Sequence, residues 1–143
     1  MEGSFTLPRE GSTSDPLRIA VLISGGGSGL ASILAYESLE PRFFHTVLVL
    51  ADSDEAGGLD HARKAGIDSI GIPLPRIVDK KEQRLKHEDL VHEQLEKYNT
   101  ELIALAGYMR IFTPVFVEKW KGRLINIHPS LLPKYPGCLL YTS

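Results

Sequence analysis

Asn126 and His128 stand two residues apart at the end of an apolar run, Leu124-Ile125-Asn126-Ile127-His128, and Pro129 follows at once. Side chains two apart on a strand share a face, so amide and imidazole are expected to point the same way at the strand's C-terminal end. A residue before proline is pushed toward extended geometry, which restrains His128. Imidazole titrates near neutrality and can give or take a proton. An asparagine amide can donate to an oxyanion as its charge develops. A catalytic pair and a satisfied structural pair at a strand end both remain open on these residues. Metal ligation would need further His or carboxylate partners at suitable spacing, and none presents itself.

Two other segments carry chemistry-bearing patterns. Ser24-Gly25-Gly26-Gly27-Ser28-Gly29 follows an apolar run and precedes a helical pattern. Glycines let the backbone approach an anion, and free N–H groups with the helix dipole favour negative charge. The dinucleotide pattern G-x-G-x-x-G fails because Leu30 holds its third glycine position, and the G-K-[ST] ending of a triphosphate loop is missing. One phosphate is therefore the better expectation, with a purely structural turn as its alternative. Ala106-Gly107-Tyr108-Met109-Arg110-Ile111 follows another apolar run. It suits either the lining of a flat heteroaromatic pocket or core packing before the next helix.

The elements that must position these segments alternate. Nearly continuous apolar runs at residues 17–23, 45–51, 102–106 and 124–128, with a short one at 68–72, read as buried strands. Helices are expected over 30–38, over 58–65 with Gly66 just past the end, from Asp79 to about Tyr98, and from Pro114 through Trp120. Asp79 and Glu82 fit a D-x-x-E capping box; Leu85, Leu90, Val91 and Leu95 supply the apolar stripe behind it. Thr113-Pro114 fits an N-cap and N1 pair. Strands alternating with helices predict an α/β domain with a doubly wound, mostly parallel, Rossmann-like sheet. Such a sheet binds ligands beyond its strands' C-terminal ends, where all three segments fall.

Composition narrows the function classes. The 143 residues suit one domain, with 43% hydrophobic and 24% charged residues. A net charge of -2 gives no global case for nucleic acid or an anionic membrane, and Lys80-Lys81 reads as a solvated helix start. The single cysteine, Cys138, excludes an internal disulfide framework and a cysteine-based zinc cluster, so a reducing, cytoplasmic setting is expected. No apolar run approaches a membrane span. Residues 1–16 mix Ser, Gly, Thr, Pro and charge without periodicity and are expected to form a flexible leader.

Taken in order, Ile23-Ser24-Gly25-Gly26-Gly27-Ser28-Gly29-Leu30, Leu105-Ala106-Gly107-Tyr108-Met109-Arg110-Ile111 and Ile125 to Gly137, with its His-Pro-Ser-Leu-Leu-Pro core, closely resemble the phosphoribosylglycinamide formyltransferase family. The resemblance runs from about Arg18 to Gly137. His-Pro-Ser-Leu-Leu-Pro is shared by the wider formyltransferase superfamily, whereas the glycine loop and Ala-Gly-Tyr-Met-Arg-Ile favour this member. It implies transfer of a formyl group from 10-formyltetrahydrofolate, as co-substrate, to the amine of glycinamide ribonucleotide in purine biosynthesis, without a metal. By the same resemblance Gly27, Ser28 and Gly29 would hold the ribonucleotide phosphate. Met109, Arg110, Ile111, Phe112 and Asn126 would line the folate site, with Arg84 a further folate contact. Asn126 and His128 would be the catalytic pair, holding the tetrahedral oxyanion and passing a proton to the leaving nitrogen.

Two departures qualify it. Many family members carry asparagine where Gly26 and Gly29 stand, so side-chain contacts to phosphate there are not expected. After Gly137 the family continues with a His-rich helix and a further half-domain bearing an aspartate that orients the histidine, whereas this chain reads Cys138-Leu139-Leu140-Tyr141-Thr142-Ser143. The expectation is a truncated domain over residues 17–137 with an atypical tail over 138–143, an unpaired sheet edge, marginal stability and little activity by itself. The alternatives are a formyltetrahydrofolate hydrolase, which needs no ribonucleotide loop, a methionyl-tRNA formyltransferase, which should be basic, and a phosphate-binding α/β module without chemistry.

Overall fold

In the computed structural model, which describes residues 8–26, 28–38, 43–127 and 139–141, the alternating pattern is realised as ten elements. They run β1 (Leu17–Ile23), α1 (Ser28–Glu37), β2 (Phe44–Ala51), α2 (Gly58–Lys64), β3 (Ser69–Gly71), α3 (Lys80–Lys97), β4 (Leu102–Leu105), α4 (Pro114–Lys119), β5 (Leu124–Ile127) and β6 (Leu139–Tyr141). The sheet order is β3-β2-β1-β4-β5-β6, with every pair parallel except β5–β6. The fold is the expected doubly wound α/β sheet.

Apart from Arg18, β1 is apolar because both faces of the sheet are covered. Leu17, Ile19, Val21 and Ile23 pack with Leu30 and Ile33 of α1 and Leu59 and Ala62 of α2. Ala20 and Leu22 pack on the opposite face with Val91 and Leu95 of α3 and Phe116 of α4. Burying a side chain such as Leu22 fully contributes about 1.5–3 kcal/mol. Gly66 closes α2 at φ 75°: its N–H donates to the Arg63 carbonyl, and the Ile67 N–H reaches back to Ala62. This is the glycine-closed end that the sequence pattern predicts.

Three local expectations need correction, and one cap stands. α1 begins at Ser28, so the last glycine-loop residues already belong to its first turn. β6 is an antiparallel strand that the sequence reading did not place, and it pairs with β5 along the edge expected to be bare. Asp79 caps α3 as expected, accepting the Glu82 N–H at 3.2 Å. Thr113 sits at the N-cap of α4 without a side-chain capping bond; its side chain is directed to α3, where its hydroxyl donates to Glu88. At the sheet's other end, Arg9 donates from Nε to Glu101 at 2.6 Å, and the Arg18 N–H donates to the same carboxylate at 2.9 Å. Burial pushes the Glu101 carboxyl up, but these bonds and the two guanidinium charges outweigh it and hold the group below its ordinary range.

Candidate active site

The strand order reverses between β1 and β4, which opens a crevice at their C-terminal ends. Ser24, the first residue past β1, accepts the Met109 N–H on its Oγ at 2.8 Å. That bond stitches the glycine loop to the segment following β4. The Gly58 N–H donates to the Gly25 carbonyl at 2.9 Å, bringing the start of α2 against the same loop. Past β2, Asp52 accepts from Arg110 Nε at 3.1 Å. Three loops thus form one assembly.

A Cβ added at Gly25 or Gly26 would meet nothing within 4 Å. The loop therefore faces open space, which an anion-receiving turn requires and an exposed structural turn shares. Ser28 opens α1, whose first-turn N–H groups lack helical carbonyl partners. Gly29 lies buried in that turn. Gly27 and His128 lie outside the described residues.

Beyond β4, Gly107 turns the chain with φ 77°. The next residues form one wall of a cavity of about 340 Å³. Residues 108–112 line it together with Arg84, His87 and Glu88 of α3 and Leu74 of the preceding segment. Met109 and Ile111 are 78% and 81% exposed, which rules out core packing for those two side chains. Tyr108 and Phe112 turn the other way. Their rings stack at 5.4 Å, and Phe112 stacks on the buried Phe116 at 4.2 Å. Arg84 donates from Nη2 to the Ile111 carbonyl at 2.9 Å, so a helix side chain fixes the loop backbone.

Burial pushes the Tyr108 phenol well above its ordinary value near 10; Asp52 adds to the rise and Arg110 only partly opposes it. A raised folded-state value gives stability that is complete below the unfolded pKa and lost as pH climbs through the folded one. Unfolding followed from about pH 9 to 12 should therefore show a steeper alkaline loss in the unsubstituted chain than in Tyr108→Phe. Tyr98, raised by its bond to Asp68, contributes equally to both. Parallel profiles would mean that the Tyr108 phenol is solvated.

The expected folate residues Arg84, Met109, Arg110, Ile111 and Phe112 thus meet around one cavity. Asn126 is not part of that lining. It sits half-buried on β5, opposite Leu105 of β4 and Leu140 of β6. By strand alternation it shares a face with Leu124, which packs in the core of α3 and α4. Sequence reasoning missed His87 and Glu88. Their signal was position: polar residues one turn before Val91 and two before Leu95, continuing the buried stripe of α3. Among the described residues no group of three or more His, Cys, Asp or Glu could hold a metal ion, and no helix is long and apolar enough to cross a membrane.

Comparison with known proteins adds an independent line. A family model described as formyl transferase matches residues 17–142. The phosphoribosylglycinamide formyltransferase of Escherichia coli (strain K12) is 40% identical over 121 residues, covering 85% of this chain and 55% of that protein. The trifunctional purine biosynthetic protein adenosine-3 of Bos taurus is 39% identical over 122 residues, covering 84% of this chain and 12% of that protein. Among solved structures, the phosphoribosylglycinamide formyltransferase of Coxiella burnetii in complex with CHES superposes with a TM-score of 0.72 at 37% identity. It covers 85% of this chain and 55% of its own. The chain thus spans about half the length of the formyltransferases it matches.

Proposed function

The chain belongs to the formyl transferase family, and from that membership we propose that it serves formyl transfer from 10-formyltetrahydrofolate to the amine of glycinamide ribonucleotide in purine biosynthesis. The observation that carries this reading is the meeting of two unlike sites at one crevice. An open glycine loop at a helix start lies hydrogen-bonded, through Ser24 and Met109, to the wall of an aromatic-lined cavity.

The cavity's residues fit a folate. Its volume of about 340 Å³ lies in the range of small-molecule sites, the Tyr108–Phe112 stack gives a flat apolar wall, and Arg84 puts a cation at its edge for a folate carboxylate. Backbone groups of Met109, Arg110, Ile111 and Phe112 would read the heteroaromatic ring. The bound formyl folate supplies the activated one-carbon unit. Gly27, Ser28 and Gly29 would hold the ribonucleotide phosphate through backbone N–H groups. Asn126 would donate its amide N–H to the formyl oxygen as charge develops, and the His128 imidazole would move the proton. No protein-bound metal is needed in this scheme.

Titration calorimetry with glycinamide ribonucleotide and with 10-formyltetrahydrofolate tests the reading, beside an assay of formyl transfer. Saturable binding of both ligands, each retained when the other is present, is expected. Binding of a ribonucleotide phosphate without any folate affinity would reduce the chain to a phosphate-binding module, and failure to bind either would overturn the proposal.

A further inference from the structure

α3 carries two buried polar side chains that the roles above leave unused, His87 at 3% and Glu88 at 7% exposure. A buried carboxylate must be satisfied to be tolerated, and here the partners are informative. Glu88 Oε2 accepts the Thr113 N–H at 2.7 Å, and Oε1 accepts the Thr113 hydroxyl. His87 donates from Nε2 to the Ile72 carbonyl at 2.6 Å; a carbonyl only accepts, so that nitrogen carries its hydrogen. Thr113 ends the wall of residues 108–112. Ile72 begins the segment that brings Leu74 to the cavity. Neither segment has helix or strand of its own to hold it. Arg84, one turn earlier on the same helix face, makes the third tie through the Ile111 carbonyl.

We propose that Glu88 is a positioning residue of this site: its carboxylate holds the wall of residues 108–112 in the conformation that receives the folate, while His87 anchors the facing wall. The proposal rests on the folate reading above. Thr113 joins the wall to the helix. Its side chain stands at the start of α4 yet turns back to α3, so the loop's end is tied to the helix that also lines the cavity. Ordering the wall before binding removes an entropic cost that the ligand would otherwise bear.

Three variants test this. Glu88→Met keeps volume but leaves both Thr113 donors unpaired. Glu88→Gln can accept the Thr113 N–H on its amide oxygen and donate to the Thr113 hydroxyl oxygen, so it should largely rescue. Thr113→Val removes one of the two bonds and keeps the experiment decisive if Glu88→Met fails to fold. Hydrogen–deuterium exchange and calorimetric titration with 10-formyltetrahydrofolate are the readouts. Glu88→Met should speed exchange over residues 108–113, leave β1 and β4 protected, and raise the folate Kd about tenfold. Thr113→Val should do the same more weakly. Unchanged exchange over 108–113 overturns the proposal, as does equal loss of protection across the whole sheet, which marks a merely structural role. Faster local exchange with an unaltered Kd overturns positioning. If the unsubstituted chain binds no formyl folate, the folate reading fails, and the exchange data still decide whether Glu88 fixes the wall.

Discussion

Phe116→Ala is expected to cost about 3–5 kcal/mol of folding stability and to weaken folate binding beyond what that loss explains. Phe116 is 1% exposed and lies at the foot of the stack that runs through Phe112 to Tyr108. Removing its ring leaves a void under Phe112, which lines the cavity. A domain of this size has roughly 5–15 kcal/mol of net stability, so the substitution consumes a large share. Ile33→Ala is the matched control, because Ile33 is equally buried but packs from α1 on the opposite face of the sheet. It should cost about 2–5 kcal/mol and leave the folate Kd of the folded protein unchanged. Urea unfolding gives the stabilities, and calorimetry well below the unfolding transition gives the affinities. A Phe116→Ala cost under about 1 kcal/mol, or equal Kd values in the two variants, would separate the aromatic stack from the site.

The parts of this fold that were legible in the sequence are those fixed by local pattern. β1, β2, β4 and β5 announce themselves as apolar runs because helices cover both sheet faces, and the Asp79 cap and the Gly66 stop are readable from neighbours in the chain. What was not legible depends on partners far away. β6 is three residues whose strand character comes from pairing with β5. Thr113 has the right type and place for a cap, but Glu88, 25 residues earlier, offers a buried acceptor and takes the hydroxyl. His87 and Glu88 look like solvated helix residues until both loops they hold are in place. The site divides in the same way. Each motif was visible alone, and Arg84 with residues 109–112 does meet at one cavity. The Ser24–Met109 and Asp52–Arg110 bonds that join the motifs cross 85 and 58 residues, a separation no local pattern encodes.

On the formyl-transfer role proposed above, Asn126→Ala should lower the turnover number about 10²- to 10³-fold, the usual loss when one donor to a developing oxyanion is removed. Asn126 is half-buried between Leu105 and Leu140 on neighbouring strands, so the backbone that carries it is held on both sides. Its side chain lies on the sheet face covered by α3 and α4, the helices that bear the cavity lining and its aromatic support. In the proposed role the amide acts on charge that exists only during reaction, so the Kd of either ligand should stay within about threefold. Asn126→Asp tests the sign of the interaction. A carboxylate is of similar size but accepts where a donor is needed and adds repulsion, so it should be at least as damaging as alanine. His128→Ala should cause a comparable fall, and under the proposed scheme, in which both groups serve one transition state, the double substitution should cost less than the product of the two. Turnover unchanged in Asn126→Ala would remove the amide from the chemistry. A loss carried wholly by weaker ligand binding would recast it as a binding residue.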